Sequence, residues 1–259
     1  MILTIIIPSY QLGHTIGEAL DSIRQQGFSD YEVLIMDGGS TDSTASVVAQ
    51  ASDLPITFIQ EKDAGVYDAM NKGVELAKGK WLYFMGADDS LYKNILCDIN
   101  QLFNEDNADM LYGNVILSSN GAKYDGEFDL HKLLCIGNIC HQAIFYRNNV
   151  FKILGKYNTK YKIWADWDFN IRFFKDGALV AKYFDKVVAF YDNQSGLSSN
   201  NHDAILSKEI PFAYINRISV LEQENKSLLA SRSFIIGNSI VRLFHKIGIG
   251  KSLGNNGSK

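Results

Sequence analysis

Four short apolar runs dominate the first 90 residues, and each ends in a cluster of turn-forming polar residues. "LTIIIP" (3–8) runs into "SYQLG", "EVLIM" (32–36) into "DGGSTDS", "ITFI" (56–59) into "QEKDAG" and "WLYFM" (81–85) into "GADDS". Between the runs, Ile16, Ala19, Leu20 and Ile23 recur at helical spacing, as do Val66, Ala69, Met70, Val74 and Ala77. This alternation predicts βαβ units on a largely parallel sheet. Ligands of open α/β sheets bind at the carboxyl ends of the strands. The four polar ends are therefore four walls of one candidate pocket.

The rhythm changes after residue 108. Strands are predicted over 108–117, 142–148 and 181–192, a loop leading into a helix over "KYDGEFDLHKLL", and a helix over 165–177 stopped by Gly177. The expected organisation is one domain, 1–225, whose second half (116–225) packs over a first half (1–115), followed by a tail, 226–259. In "SRSFIIGNSIVRLFHKIGIGK" (231–251), Phe234, Ile240, Val241, Phe244 and Ile247 share a face while Arg232, Arg242, Lys246 and Lys251 lie elsewhere. That pattern suits a helix docked on the protein's own core or one lying in a membrane interface. Arg242 and Lys246 interrupt the run, so it does not span a bilayer.

A formal net charge of -4 argues against a general nucleic-acid binder. Three cysteines, Cys97, Cys135 and Cys140, without CxxC spacing indicate neither a disulfide framework nor a zinc knuckle, and fit a cytoplasmic setting. The apolar start "MILTIIIPSY" lacks a basic leader and a cleavage site and reads as a first strand.

The strand ends carry the chemistry. Asp37 is placed to accept a base N–H or a ribose hydroxyl, or to organise a turn in which Ser40, Thr41 or Asp42 caps the next helix. Asp63 precedes Gly65 at the third end, and Lys72 offers a point charge to a phosphate or a partner to Asp68 at i,i+4. Asp88 and Asp89 suit a hard divalent cation, which uses one or two carboxylates plus substrate phosphates. Read structurally, Asp89 or Ser90 instead caps a helix beginning at Leu91.

Taken in order, "TIIIPSY", "IMDGGSTDST", "EKDAGVYDAMNKG" and "FMGADD" resemble the nucleotide-sugar-binding half of inverting GT-A fold glycosyltransferases of the large bacterial polysaccharide family, family 2-like. The resemblance is dense over residues 3–90 and sparser to about 205. It implies a Rossmann-like, mostly parallel α/β sheet flanked by helices, an acceptor-binding second half, and a Mn2+ or Mg2+ cofactor. Pro8 and Tyr10 would then line a uracil pocket with Asp37 on the base, Asp63 near the nucleoside, and Asn71, Lys72 and Gly73 bordering the nucleotide or diphosphate. "ADD" stands at the family's DxD position, with Ala87 in place of the first acid. Asp88 would face the ribose or donor sugar and Asp89 the metal.

In the second half, "IWADWDFNIRFF" matches the family's acidic motif at the start of a helix, which puts Asp166 at the base position. Transfer to an alcohol needs such a carboxylate within reach of the incoming hydroxyl. Trp164 and Trp167 offer apolar faces to a sugar, and His141 and Gln142 border the acceptor site. Arg172 either steers a phosphate or pairs with Asp168. His202, in the polar loop 193–203, is a candidate further metal ligand or diphosphate contact. The implied partners are a nucleotide sugar, a UDP-sugar by expectation, and a lipid-linked oligosaccharide met through peripheral contact at the cytoplasmic face of the inner membrane. Among rivals, a sugar nucleotidyltransferase would carry an arginine in the loop after strand one, and "PSYQLGHTIG" has none; a dehydrogenase would carry GxGxxG there. A non-catalytic nucleotide-sugar-binding protein would not need Asp89 and Asp166.

Overall fold

The computed structural model describes residues 1–105, 107–124, 126–194, 203–209 and 226–230. The chain divides into two compact units, Met1–Ile210 and Pro211–Lys259. In the second unit, residues 226–230 are helical and exposed; the apolar face expected over 231–251 lies outside the described residues.

In the first unit, β1 (Leu3–Ser9), β2 (Tyr31–Asp37), β3 (Ile56–Gln60) and β4 (Trp81–Phe84) alternate with α1 (Ile16–Arg24), α2 (Thr44–Gln50) and α3 (Val66–Leu76). All residues of β1 and β2 are buried, as parallel strands covered on both faces must be. The predicted apolar spacing of α1 is realised, with Ile16, Ala19, Leu20 and Ile23 buried.

The chain continues through β5 (Ser90–Leu91), α4 (Ile95–Asp98), α5 (Asn100–Asn104), β6 (Met110–Leu117), β7 (Lys123–Tyr124), α6 (Leu130–Cys135), β8 (Ile144–Arg147), α7 (Val150–Leu154), α8 (Ala165–Lys175), β9 (Ala181–Tyr191) and α9 (Leu206–Glu209). Among the described residues the strands form one sheet in the order β3-β2-β1-β4-β8-β6-β9-β5, with β7 beside β6. It is parallel from β3 to β4 and mixed beyond, β8 running antiparallel to both β4 and β6.

The second half extends the same sheet. The reason is the β4 edge. Trp81 to Phe84 are almost entirely buried, so the unpaired edge of this apolar strand needs a partner. Phe145 of β8 supplies one, stacked on Tyr83 at 4.8 Å between ring centroids.

The two ends of the parallel strands are treated differently. At the amino end, Thr4 donates to Glu32 at 2.8 Å, and Glu32 accepts the Lys78 N–H at 2.8 Å, a closed structural knot. At the carboxyl end, the polar groups face the cleft described next.

Candidate active site

The loop after β2 is built on Asp37. This carboxylate is 1% exposed and accepts from the Gly39 N–H (3.0 Å), the Ser40 N–H (2.7 Å), the Ser40 hydroxyl (2.6 Å) and the Gln60 amide (3.1 Å). Gly39 makes the turn possible at φ +95°. Of the three expected caps for α2, Asp42 is the residue that reaches its start, accepting the Thr44 N–H at 3.0 Å. Asp37 is thus first an organiser of its own loop.

That loop brings Gly38 against its neighbours. A Cβ on Gly38 would stand 2.7 Å from Asp63 Oδ2 and 3.4 Å from the Tyr10 ring. Asp63 also accepts the Gly65 N–H at 2.8 Å, setting the start of α3, where Gly65 has φ +123°. Beside Pro8, Met36, Asp37, Ile59, Glu61, Asp63, Ala69 and Lys72 line a small recess. Tyr10 is 62% exposed, its ring meeting Gly38 on the side where Asp63 also stands. The structure thus brings Pro8, Tyr10, Asp37 and Asp63 together.

Lys72 lines that recess and is held there by other contacts. It pairs with Glu61 at 2.7 Å and donates to the Lys62 carbonyl, and Glu61 and then Asp68 raise its pKa. The Asn71 amide spans the Tyr157 backbone, donating to its carbonyl (2.9 Å) and accepting its N–H (3.0 Å). Gly73 faces β1, where a Cβ would stand 2.6 Å from Ile6 Cγ2. Asn71 and Gly73 therefore hold α3 to its surroundings.

At the end of β4 the paired acids turn inward. Asp88 Oδ1 and Asp89 Oδ2 both crowd the space that a Cβ on Gly86 would fill, so the glycine leaves a cradle between two carboxylates. Asp89 is 3% exposed and caps nothing. Ser90 and Leu91 pair with Phe190 and Ala189 of β9 instead of opening a helix, and the next helix begins at Ile95. The edge of β9 gained a partner by this pairing, which explains why the helix-cap expectation fails.

Burial, and then the charge of Asp88, push the Asp89 carboxyl up to about 7, against hydrogen bonds from the Asp192 N–H (2.9 Å) and the Gln142 side chain. Burial also raises Asp88. Two acids held this way are strained as a pair of anions, and a divalent cation relieves both the burial and the repulsion. Among the described residues no group of three His, Cys, Asp or Glu is poised to hold a metal. His202 lies outside the described residues. Two carboxylates still fit Mg2+ or Mn2+, which complete their shells with phosphate oxygens and water.

Asp166 is 8% exposed in the first turn of α8. Its Oδ1 accepts from the Tyr67 hydroxyl and its Oδ2 from the Asn138 amide, each at 2.6 Å. Asn138 opens the segment that joins the two acidic centres: Asn138 touches Asp166, and Gln142 touches Asp89. Four residue steps span at most about 14 Å. Between them the Cys140 thiol, which donates to Gln142 Oε1 (3.2 Å), feels the charge of both Asp89 and Asp166; burial keeps it protonated. His141 stacks on Phe84 (5.2 Å, 19°) and meets the Tyr157 hydroxyl at 3.0 Å, and burial lowers its pKa, so it is neutral.

Trp164 and Trp167 are half-buried with ring centroids 5.5 Å apart, and Trp167 is anchored through its indole N–H to the Leu133 carbonyl at 2.8 Å. Arg172 pairs with Asp168 at 2.9 Å and donates to the Leu154 and Lys156 carbonyls, so it serves the fold. Sequence reasoning missed Tyr67, Asn138, Cys140 and Asp192. Only Tyr67 carried a signal, an aromatic hydroxyl on the buried face of α3.

A mixed α/β sheet with a carboxylate-lined cleft at its parallel carboxyl ends is the architecture of GT-A fold glycosyltransferases. The chain aligns with TarS 1-349 of S. aureus in complex with UDP-GlcNAc at a TM-score of 0.67 and 20% identity, covering 90% of this chain and 74% of that one. It aligns with the mannosyltransferase PcManGT from Pyrobaculum calidifontis, solved with GDP-Man and Mn2+, at 0.60 and 16%, covering 96% and 81%. At these identities the likeness speaks to the fold. A PGL/p-HBAD biosynthesis glycosyltransferase of Mycobacterium bovis (strain BCG / Pasteur 1173P2) is 44% identical over 215 residues, 81% of this chain and 84% of that protein. The model of glycosyl transferase family 2 matches residues 4–177, and the chain belongs to that family.

Proposed function

We propose that the protein is an inverting glycosyltransferase that moves a sugar from a UDP-sugar, with Mn2+ or Mg2+, to a hydroxyl of a lipid-linked or glycolipid acceptor in cell-surface glycan assembly. The observation that carries this reading is the 138–142 segment, one end of which touches Asp166 and the other Asp89. It supports a cleft in which one ligand meets both acidic centres. The UDP-GlcNAc in TarS supports a uridine donor, the Mn2+ in PcManGT supports the metal, and the PGL biosynthesis relative supports a glycolipid product.

In this reading Pro8, Tyr10, Asp37 and Asp63 receive the nucleoside, and Asp88 hydrogen-bonds the ribose or donor sugar. Asp89, with His202 as a further candidate, would hold the cation, which when bound neutralises the departing diphosphate. Asp166 accepts the proton of the acceptor hydroxyl as its oxygen attacks the anomeric carbon. The bond from that carbon to the diphosphate breaks on the opposite face, and the configuration inverts. Both Asp166 oxygens keep a lone pair beyond the one used by Tyr67 or Asn138, so the carboxylate remains able to act as base. Gln142, His141, Trp164 and Trp167 border the acceptor. His141, being neutral, adds no positive charge to compete with the cation. The 226–259 tail makes the peripheral membrane contact that a lipid-borne acceptor calls for.

The test is a thermal-shift panel of UDP-glucose, UDP-galactose, UDP-N-acetylglucosamine and GDP-mannose with and without Mn2+, since ligands of the native state raise its melting temperature. A metal-dependent rise with a UDP-sugar is expected; a metal-dependent response to GDP-mannose alone would overturn the uridine assignment. Replacing Asp166 by Asn should lower turnover by about 10²- to 10⁴-fold, the usual worth of a general base. Unchanged turnover would remove Asp166 from the mechanism.

A further inference from the structure

We infer that Tyr67 and Asn138 are positioning residues for Asp166, the two side chains of a hydrogen-bond chain that grip the carboxylate directly and fix its orientation. The inference deepens the reading of Asp166 as the base and rests on it for its catalytic meaning, whereas the chain itself stands on geometry. From Asp166 Oδ2 it runs to the Asn138 amide (2.6 Å), from Asn138 Oδ1 to the Asn170 amide (2.8 Å), and from Asn170 Oδ1 to the Tyr146 hydroxyl (2.6 Å). Three elements contribute: the loop after α6, helix α8 and strand β8. Asn170 is fully buried, one helical turn from Asp166 on the same face of α8.

The direction of each bond follows from the charge at one end. An ionised carboxylate only accepts, so Asn138 must present its NH2 group to Asp166. Its carbonyl oxygen is then left to accept from Asn170, whose own carbonyl oxygen accepts from Tyr146. On the other side, the Tyr67 hydroxyl lies 2.6 Å from both Asp166 Oδ1 and the Ile163 carbonyl. One proton cannot serve both acceptors fully. With Asp166 ionised the charged acceptor takes the stronger bond. A proton taken from an acceptor hydroxyl lands on a lone pair that neither Tyr67 nor Asn138 uses, so both bonds persist and the carboxylate need not move when it gains it. As the charge on Asp166 falls, the Ile163 carbonyl takes a larger share of the Tyr67 proton.

The groups electrostatically coupled to Asp166 from the packed elements are Tyr67, Cys140, His141, Tyr146 and Tyr157. Burial keeps the tyrosines and the thiol protonated and the histidine neutral, so none of them carries charge near neutral pH. On its own helix, Asp168 is paired with Arg172. The bonds donated by Tyr67 and Asn138, rather than a nearby cation, are therefore what orient the carboxylate.

The test separates binding from turnover in the release of UDP from UDP-N-acetylglucosamine by the full chain. Asn138→Ala and Tyr67→Phe should each lower kcat by about tenfold, the worth of one hydrogen bond to a charged group, with the donor KM within about twofold, and Asn138→Gln should recover part of the loss. Asn138 is only half-buried, so its variant carries the test even where Tyr67→Phe fails to fold. An unchanged kcat in folded Asn138→Ala overturns the positioning role. A lowered kcat in Asn138→Ala beside a fully active Asp166→Asn sinks the base reading instead.

Discussion

Asp89 makes the sharpest prediction, because its cost in the free protein can be worked from the structure. Its carboxyl ordinarily titrates near 3.8 and is pushed to about 7 by burial and by Asp88. A folded-state pKa above the unfolded one means the folded protein binds the proton more tightly. Stability from this group is therefore fully present below about pH 4 and is lost as the pH rises through about 7. The difference is about 3 pH units at about 1.4 kcal/mol each, or at most about 4 kcal/mol by pH 8. Asp89→Asn keeps the shape and the acceptor for the Asp192 N–H but abolishes the charge. At roughly 2–4 °C per kcal/mol for a domain of this size, the metal-free variant should melt up to about 16 °C above the parent at pH 8. At pH 4 the two should nearly coincide, and at pH 5 about a third of the gap should have opened. Scanning calorimetry in a chelator from pH 4 to 8 measures this. Addition of Mn2+ should then raise the parent's melting temperature at pH 8 and leave the variant's unmoved, since the cation favours the ionised acid. Parallel melting curves across the pH range would refute the argument that this carboxylate is held at the end of β4 against its own solvation.

Gly73→Ala places a methyl 2.6 Å from Ile6 Cγ2 in a closed helix–sheet contact and should destabilise by about 1–3 kcal/mol in denaturant melts, despite the better helix former. His141, neutral and depressed by burial, contributes in the opposite sense to Asp89: its stability is present above about pH 6.5 and is lost as the pH falls below it. Difference curves of melting temperature between parent and His141→Phe should accordingly widen between pH 7 and pH 5 in favour of the variant.

The first half of the fold was readable because its signals are local. Each buried parallel strand is a continuous apolar run, and each helix repeats its apolar face every three or four residues. The second half was less so. Its strands were found singly, but their joining of the same sheet depends on which edge β4 leaves open, a property of the assembled sheet. The short β5 was missed altogether, and a helix cap was expected there, since "DDSL" encodes either and only the position of β9 decides.

The site divides along the same line. Residue type and order picked out Asp37, Asp63, Asp88 and Asp89, because carboxylates at strand ends are conspicuous in the chain itself, and the family resemblance added Asp166. Roles that depend on what a side chain meets across the fold were set elsewhere. Asn71, Lys72 and Gly73 sit within one turn of each other, yet they meet the Tyr157 backbone, Glu61 and Ile6. Tyr67 lies 99 positions from Asp166 and Asn138 lies 28, separations across which sequence periodicity says nothing. The sequence by itself determined which elements form and where the acids stand, because propensity and apolar patterning act over a few residues. Only the tertiary structure decided which acid is dry, which is paired and which keeps a lone pair free, because desolvation and hydrogen bonding are set by neighbours that the folded chain brings from far away.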